Sequence, residues 1–219
     1  MNKKSLIVFL KSPVPGNVKT RLAKTLGDEF ATGFYKINLQ YLLKLLHDFT
    51  AESQVDVFLY IDTPFIQQNN NIKIPVTMAV KYQSPGDIGE RMKNAFREQF
   101  LGGYEKVLLI GSDIPDFTVN ILSQAFNALD EKKVVFGPSV DGGYYLIGQR
   151  RYSPELFNGI NWSTSMVLEE SLKKLKSNEY DLLEEKIDID NVESLKEWLS
   201  APGGNRKIKE SVARLLSKI

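Results

Sequence analysis

Cysteine is absent from the 219 residues, and histidine occurs once, as His47. The first absence removes disulfides, thiolate nucleophiles and cysteine-held zinc together. It accords with a reducing compartment, and a cytoplasmic location is expected. The second leaves any Ser-His-Asp triad or multi-histidine metal centre to be built on one imidazole. That imidazole lies in a helix-patterned segment, where surface or packing duty is the ordinary use. An excess of one charge is also missing. Lys and Arg number 28 against 27 Asp and Glu, a formal +1, so no general field draws nucleic acid or an anionic membrane to the surface. Affinity for phosphate must therefore be local. No apolar run approaches the ~20 residues that span a bilayer. The run after Met-Asn-Lys-Lys is too short for a secretory leader and meets Lys11 and two prolines, so it reads as a first strand.

What is present is an ordinary globular composition, 42% hydrophobic and 25% charged, on a chain long enough for one large core. Leu6 to Leu10 is continuously apolar, the pattern of a strand buried on both faces in a parallel sheet. Asp28 reads as an N-cap, and Phe30, Phe34, Ile37, Tyr41, Leu45 and Phe49 mark one face of a long helix. Strands follow over Val55 to Ile61 and Val76 to Tyr82, with a polar loop containing Thr63, Pro64 and Asn69 to Asn71 between them. Asp87 can cap a helix bearing Met92, Ala95 and Phe96, which ends at Gly102 and Gly103.

Further strands are expected at Lys106 to Ile110, Val134 to Gly137, Tyr144 to Gly148 and Tyr180 to Leu183. Helices are expected around Leu122 to Leu129, Met166 to Leu175 and Leu195 to Leu199. Strands alternating with helices predict an open, mostly parallel α/β sheet with helices on both sides. No internal repeat is visible. Residues 1–201 read as a single domain. The break at Pro202-Gly203-Gly204 sets off a terminal helix over 202–219, carrying Ile208, Val212 and Leu215, that can pack on its own chain or on a partner.

In such sheets ligands bind outside the carboxyl ends of the strands, and polar residues gather there. The first loop brings Lys11, Lys19 and Arg21 around Pro15 and Gly16. A strand, a glycine-containing cationic loop and a helix commonly hold phosphate in this way, although the loop is neither a Walker A nor a Gly-x-Gly-x-x-Gly sequence. Asp113 directly follows one strand, and the pair Asp188 and Asp190 follows another. Carboxylates beside phosphate repel it unless a cation intervenes, which suits Mg²⁺ (or Mn²⁺) held by one or two carboxylates and the phosphate oxygens. Equally, Asp113 serves as a cap before Pro115, and Asp190 as the N-cap of the helix that follows. In Asp141-Gly142-Gly143-Tyr144-Tyr145 the glycines admit close backbone approach and the tyrosines offer stacking or hydroxyl contacts to a sugar or base, while a plain hairpin uses the same residues. Gln83 and Arg91 are candidates for a base or phosphate.

Taken together, Lys11-Ser-Pro-Val-Pro-Gly16-Asn-Val-Lys19-Thr20-Arg21-Leu22, Gly86-Asp-Ile-Gly-Glu-Arg91-Met92, Gly111-Ser-Asp113-Ile-Pro115, Gly137-Pro-Ser-Val-Asp141-Gly-Gly-Tyr144, Trp162-Ser-Thr164 and Asp188-Ile-Asp190 resemble a bacterial glycosyltransferase-like family of the nucleotide-diphospho-sugar transferase superfamily. The resemblance covers about residues 5 to 200. It implies a three-layer αβα fold of the glycosyltransferase-A type, with a central mixed sheet and divalent-metal chemistry on a nucleotide-linked donor. Many glycosyltransferases of this fold carry Asp-x-Asp at the metal strand, whereas this chain has Ser112-Asp113-Ile114.

The expected activity is glycosyl transfer from a nucleotide-sugar to a small-molecule acceptor. The alternatives are nucleotidyl transfer from a nucleoside triphosphate, releasing pyrophosphate, and nucleotide binding without catalysis. In the leading reading Lys11, Lys19 and Arg21 hold phosphate, and Asp113 and Asp190 hold the metal with Asp188 in support. Asp141, as base, works with Gly142, Gly143 and Tyr144 at the acceptor pocket, which Trp162, Ser163 and Thr164 close.

Overall fold

The computed structural model describes residues 3–62 and 72–219; the polar loop expected at Thr63, Pro64 and Asn69 to Asn71 lies outside them. A seven-stranded sheet runs in the order β3-β2-β1-β4-β6-β5-β7. Its strands are β1 (Lys4–Leu10), β2 (Val55–Ile61), β3 (Met78–Tyr82), β4 (Lys106–Ile110), β5 (Val134–Pro138), β6 (Tyr144–Gln149) and β7 (Tyr180–Leu182). All ladders are parallel except those of β6, which runs against both β4 and β5. Leu10 pairs with Ile61, and Val8 with Ile110, so the carboxyl ends of β1, β2 and β4 fall at one edge, β4 two residues short of the others. The third strand is shorter than its sequence pattern because Val76 is fully exposed and buries nothing.

The helices are α1 (Thr20–Leu26), α2 (Asp28–Glu52), α3 (Ile88–Leu101), α4 (Val119–Glu131), α5 (Val167–Leu172), α6 (Val192–Ser200) and α7 (Arg206–Leu216), with a 3₁₀ turn at Pro154–Phe157. Alternation along β1 sends Leu6, Val8 and Leu10 to the face covered by α2 and α4, and Ile7 and Phe9 to the face covered by α3. The result is an αβα arrangement of three layers. None of the described helices is long and apolar enough to cross a membrane.

Helix α2 carries two apolar faces where the sequence suggested one. Tyr35, Leu39, Leu42 and Leu46 meet the sheet, while Phe30, Ala31 and Phe34 meet α1, α6 and α7. A single stripe cannot describe a helix covered on both sides. Helix α2 begins at Asp28, with Gly27 (φ 83°) rather than Asp28 at the N-cap. The terminal helix packs on its own chain: a Cβ on Gly33 of α2 would lie 3.0 Å from Leu215. Asp116 tethers its approach, accepting from Trp198 Nε1 at 2.8 Å and from the Asn205 amide at 2.6 Å.

Candidate active site

The loop after β1 is fixed from below by Tyr35. Its hydroxyl accepts from the Lys11 amide at 3.0 Å and lies 3.2 Å from the Lys11 carbonyl and 3.1 Å from Ser112 Oγ. A hydroxyl has one proton to give; with that proton on the Lys11 carbonyl, Ser112 donates to Tyr35. Asn38, one turn further along α2, donates to the Ser112 carbonyl at 2.6 Å. Two polar residues on an otherwise apolar stripe thus clamp the loops after β1 and β4 together. Burial, and then Asp113, push the Tyr35 hydroxyl well above its ordinary pKa, so it remains a neutral hydrogen-bonding group. From the side, the Ser12 amide donates to Asp62 Oδ1 at 2.9 Å.

Val18 is buried beneath this loop, and the chain enters α1 through Lys19 in the left-handed conformation (φ 48°, ψ 44°). That conformation costs a non-glycine residue about 1–2 kcal/mol, and the contacts of the side chain offset it. Lys19 Nζ, on a side chain only 3% exposed, lies 2.6 Å from Asp113 Oδ1 and 3.5 Å from Asp190 Oδ1. Arg21 reaches Asp190 Oδ2 at 3.5 Å from the solvent side. Burial alone would lower the ammonium's pKa, but Asp113, Asp190 and Asp188 outweigh it and hold it above the usual lysine value.

The acids arrive from distant segments. Asp113 follows β4 and spends its carboxylate on Lys19 instead of on a cap. Residues 186–190 run beside the end of β5: Ser139 pairs with Lys186, and the Ile189 amide reaches the Asp113 carbonyl at 3.5 Å. The N-cap of α6 is Asn191, in a reciprocal box with Ser194. Asp190 is therefore released from the capping role its sequence position allowed. Asp188 is pushed up to about 6, first by burial and then by Asp141 and Asp190, with Lys19 pulling the other way.

Asp141 sits in a turn, its Oδ1 accepting from Ser139 Oγ at 2.6 Å and the Gly143 amide at 3.0 Å. Gly142 does not reach the cleft. It has φ 87°, and a Cβ there would lie 2.1 Å from the Ser165 carbonyl, so its glycine serves the packing of loop 161–165. The two tyrosines are likewise committed to the core. Tyr144 packs on Phe136 with ring centroids 5.3 Å apart and a buried hydroxyl, whereas Tyr145 packs on Phe117 and donates to the Glu184 carbonyl at 3.0 Å. Their hydroxyls are not offered to a ligand, although both rings border the cleft. Trp162 lies against α3, where a Cβ on Gly89 would come within 2.3 Å of its indole nitrogen. Gln83 gives its amide hydrogens to the Leu10 and Tyr60 carbonyls at 3.2 and 3.0 Å, and its oxygen positions Arg91 at 3.4 Å. Gln83 thus fixes Arg91 and has no donor left for a base.

These groups border one cleft of about 570 Å³ at the carboxyl edge of the sheet. Lys11, Lys19, Arg21, Gln83, Arg91, Asp113, Asp141, Gly143, Tyr144, Trp162, Ser163, Thr164, Asp188 and Asp190 line it, whereas Pro15, Gly16 and Gly142 do not. Asp62, Ser112, Ser139, Ile88 and Met92 also line it without having been singled out from the sequence. The buried polar Asn38 on the sheet-facing side of α2 was the one sequence signal for the clamp beneath.

The described residues contain no ready-made cage of three acidic or imidazole ligands. Magnesium needs only one or two carboxylates when phosphate and water complete its shell. Asp113 and Asp190 supply hard oxygen donors, both facing the single Lys19 ammonium, and Asp188, raised first by burial and then by Asp141 and Asp190, stands beside them. The residues present fit a divalent ion that arrives with its ligand.

This architecture is that of the nucleotide-diphospho-sugar transferases. A protein of Desulfovibrio desulfuricans G20, described provisionally as a nucleotide-diphospho-sugar transferase, is 31% identical, with TM-score 0.86 over 100% of this chain and 95% of that one. Within the fold, the chain belongs to the family described as "Uncharacterized protein conserved in bacteria (DUF2064)", whose model matches residues 45–164. The fold is shared at lower identity with 4-diphosphocytidyl-2C-methyl-D-erythritol synthase of Anaerococcus prevotii DSM 20548 (11%, TM-score 0.58, 98% and 97% covered). It is also shared with Rv0371c of Mycobacterium tuberculosis H37Rv in its manganese complex (11%, TM-score 0.54, 89% and 97% covered). No curated protein matches the sequence.

Proposed function

We propose that the protein is a metal-assisted transferase that moves a sugar from a nucleoside diphosphate carrier to the hydroxyl of a small acceptor. The observation that carries this reading is the charge inventory of the cleft. Apart from Asp62, which is engaged by the Ser12 amide, the cleft sets four carboxylates (Asp113, Asp141, Asp188, Asp190) among the described residues against four cations (Lys11, Lys19, Arg21, Arg91). One divalent ion turns that balance into two positive charges. The two negative charges of a sugar-linked diphosphate match this better than the four of a free triphosphate, and a partly desolvated site favours such balance.

Asp113 and Asp190 would hold the metal, with Asp188 beside them; bound there, it would act as a Lewis acid on the phosphate oxygens. Lys19 and Arg21 stabilise the charge that develops as the diphosphate leaves. Lys11 and Arg91 steady its remaining oxygens. Asp141, fixed through Oδ1 by Ser139 and Gly143, presents Oδ2 to take the proton of the acceptor hydroxyl. The acceptor oxygen bonds to the anomeric carbon, the bond from that carbon to the phosphate oxygen breaks, and the nucleoside diphosphate carries away the electron pair. Trp162, Ser163 and Thr164 shield the reacting carbon from water.

The cationic loop also suits a second reading, in which an oxygen of a phosphorylated substrate attacks the α-phosphorus of a triphosphate and pyrophosphate departs. The name of the Anaerococcus enzyme, which shares the fold, is consistent with it. Phosphorus NMR with Mg²⁺, a panel of nucleotide-sugars with simple acceptors, and a panel of triphosphates with sugar phosphates tests both. Release of nucleoside diphosphate is expected. Release of pyrophosphate replaces the first reading with the second, and thermal stabilisation by nucleotide with no turnover on either panel leaves a binding module.

A further inference from the structure

The place between Asp113 and Asp190 is already held by a cation of the chain itself. Lys19 Nζ sits 2.6 Å from one carboxylate and 3.5 Å from the other. Its backbone is set by the left-handed entry into α1, and its side chain is almost wholly buried. An ion that took the Oδ1 oxygens of both acids would need the place the ammonium holds, since both of those oxygens already face Lys19. At such separations an ammonium and a dication repel strongly in a partly desolvated site. The ammonium cannot simply step aside, because a buried lysine without an anion is costly. Phosphate is the anion that would take it.

We propose, on the basis of the transferase reading above, that Lys19 is a built-in competitor for the metal position, making metal and diphosphate bind as a coupled pair. In the free protein Lys19 occupies the place between the two Oδ1 oxygens. When a diphosphate enters, the ammonium exchanges Asp113 for a phosphate oxygen, which would leave Asp113 and Asp190 free to hold a divalent ion. Positive coupling follows by linkage, each ligand raising the other's affinity by the same factor. The device keeps the cleft from filling with metal in the absence of donor.

Manganese binding followed by electron spin resonance at neutral pH tests this without turnover. The intact protein is compared with Lys19→Met and Lys19→Gln, first with Mn²⁺ alone and then with UDP, GDP, CDP or ADP, correcting for manganese bound by the nucleotide in solution. The expected result is weak binding of Mn²⁺ alone to the wild type, at least tenfold tighter binding to the Lys19 variants, and at least tenfold tightening in the wild type by one of the diphosphates. If the variants bind Mn²⁺ no more tightly than the wild type, the competitor role is overturned. If the variants do not fold, the wild type alone decides: coupling supports the proposal and its absence overturns it. Tight binding of Mn²⁺ alone to the wild type sinks the proposal while sparing the transferase reading. Absence of Mn²⁺ binding in every mixture overturns both.

Discussion

Lys19 and Lys106 are both buried lysines, yet they stand at opposite edges of one sheet and keep different company. Lys106 opens β4 at the amino edge, 4% exposed, paired with Asp130 and donating to the Phe126 carbonyl at 3.3 Å. One acid and one carbonyl, both from α4, hold it, so the pair clips a helix to a strand. Lys19 stands at the carboxyl edge with Asp113 and Asp190 in contact and Asp188 near enough to affect it. A cation with one acid is a fastener, whereas a cation short of the acids around it leaves negative charge for something else to use. The ratio of acids to cations, more than burial, separates the two edges.

The largest effect is expected from Asp113→Asn. Asparagine still offers Lys19 an acceptor and Asp190 keeps an anion beside it, so circular dichroism should remain that of the folded protein, with Tm lowered. If Asp113 holds the metal as proposed, its loss removes several kcal/mol of transition-state stabilisation, so kcat/KM followed by phosphorus NMR should fall on the order of a thousandfold. Full activity in this variant would erase the distinction between the edges.

Next comes Gly142→Ala, which tests how firmly the carboxyl edge is built. Alanine there meets both the positive φ and the Ser165 carbonyl at 2.1 Å. A cost of about 2–3 kcal/mol is expected in urea unfolding, within the range for backbone strain at special conformations. Trp162, which belongs to loop 161–165 and lies against Gly89, should report the displacement as a change in fluorescence. An unperturbed Trp162 signal would mean the loop is not locked to the turn.

Lys106→Met is expected to do less. Methionine fills a similar volume, and Asp130, whose side chain is 63% exposed, returns to water. Replacing such a pair with an apolar residue is often near neutral, so urea unfolding should move by about 1 kcal/mol or less, and turnover should be unchanged. A loss of turnover comparable to that of Asp113→Asn would show that both lysines serve the same site.

Much of this layout is legible in the sequence, and the reasons it stops are physical. The continuous apolar runs of β1 and β4 announce strands buried on both faces, and polar residues directly after them fall at the carboxyl edge wherever the sheet is parallel. Asp87, as expected, caps α3, accepting from the Glu90 amide at 2.9 Å. That Asp113 and Asp190 fall at the carboxyl edge can be read from their places after strand-patterned segments. That Lys19 stands between them cannot, because the pairing joins residues 171 apart in sequence and depends on segment 186–190 running beside β5. The second face of α2 escaped because its partners, α6 and α7, come from the far end of the chain. The tyrosines after Gly143 looked available for a ligand since a strand pattern shows which residues alternate, not which layer covers them. Tyr35 and Asn38 were hidden for a related reason: a polar residue on a helix stripe marks a buried hydrogen bond without naming its partner.

The smallest expected effect lies at the amino edge and concerns acid stability. The hydrogen bond from Lys106 holds the Asp130 carboxyl below its ordinary value of 3.8, against a smaller opposing effect of burial. The folded state therefore binds this proton less readily than the unfolded chain. Stability from the pair is fully present above the unfolded value and is lost as pH falls through the lower folded one. Because the carboxylate is mostly in water, screening keeps the contribution small. Asp130→Asn should leave stability near pH 7 close to that of Lys106→Met and flatten the acid limb of the unfolding profile below about pH 4, near the ordinary Asp value. The double variant should add little to either single change, as expected of two side chains whose charges serve chiefly each other. Additive losses would show that Lys106 answers to more than Asp130, bringing the amino edge closer in kind to the cluster around Lys19.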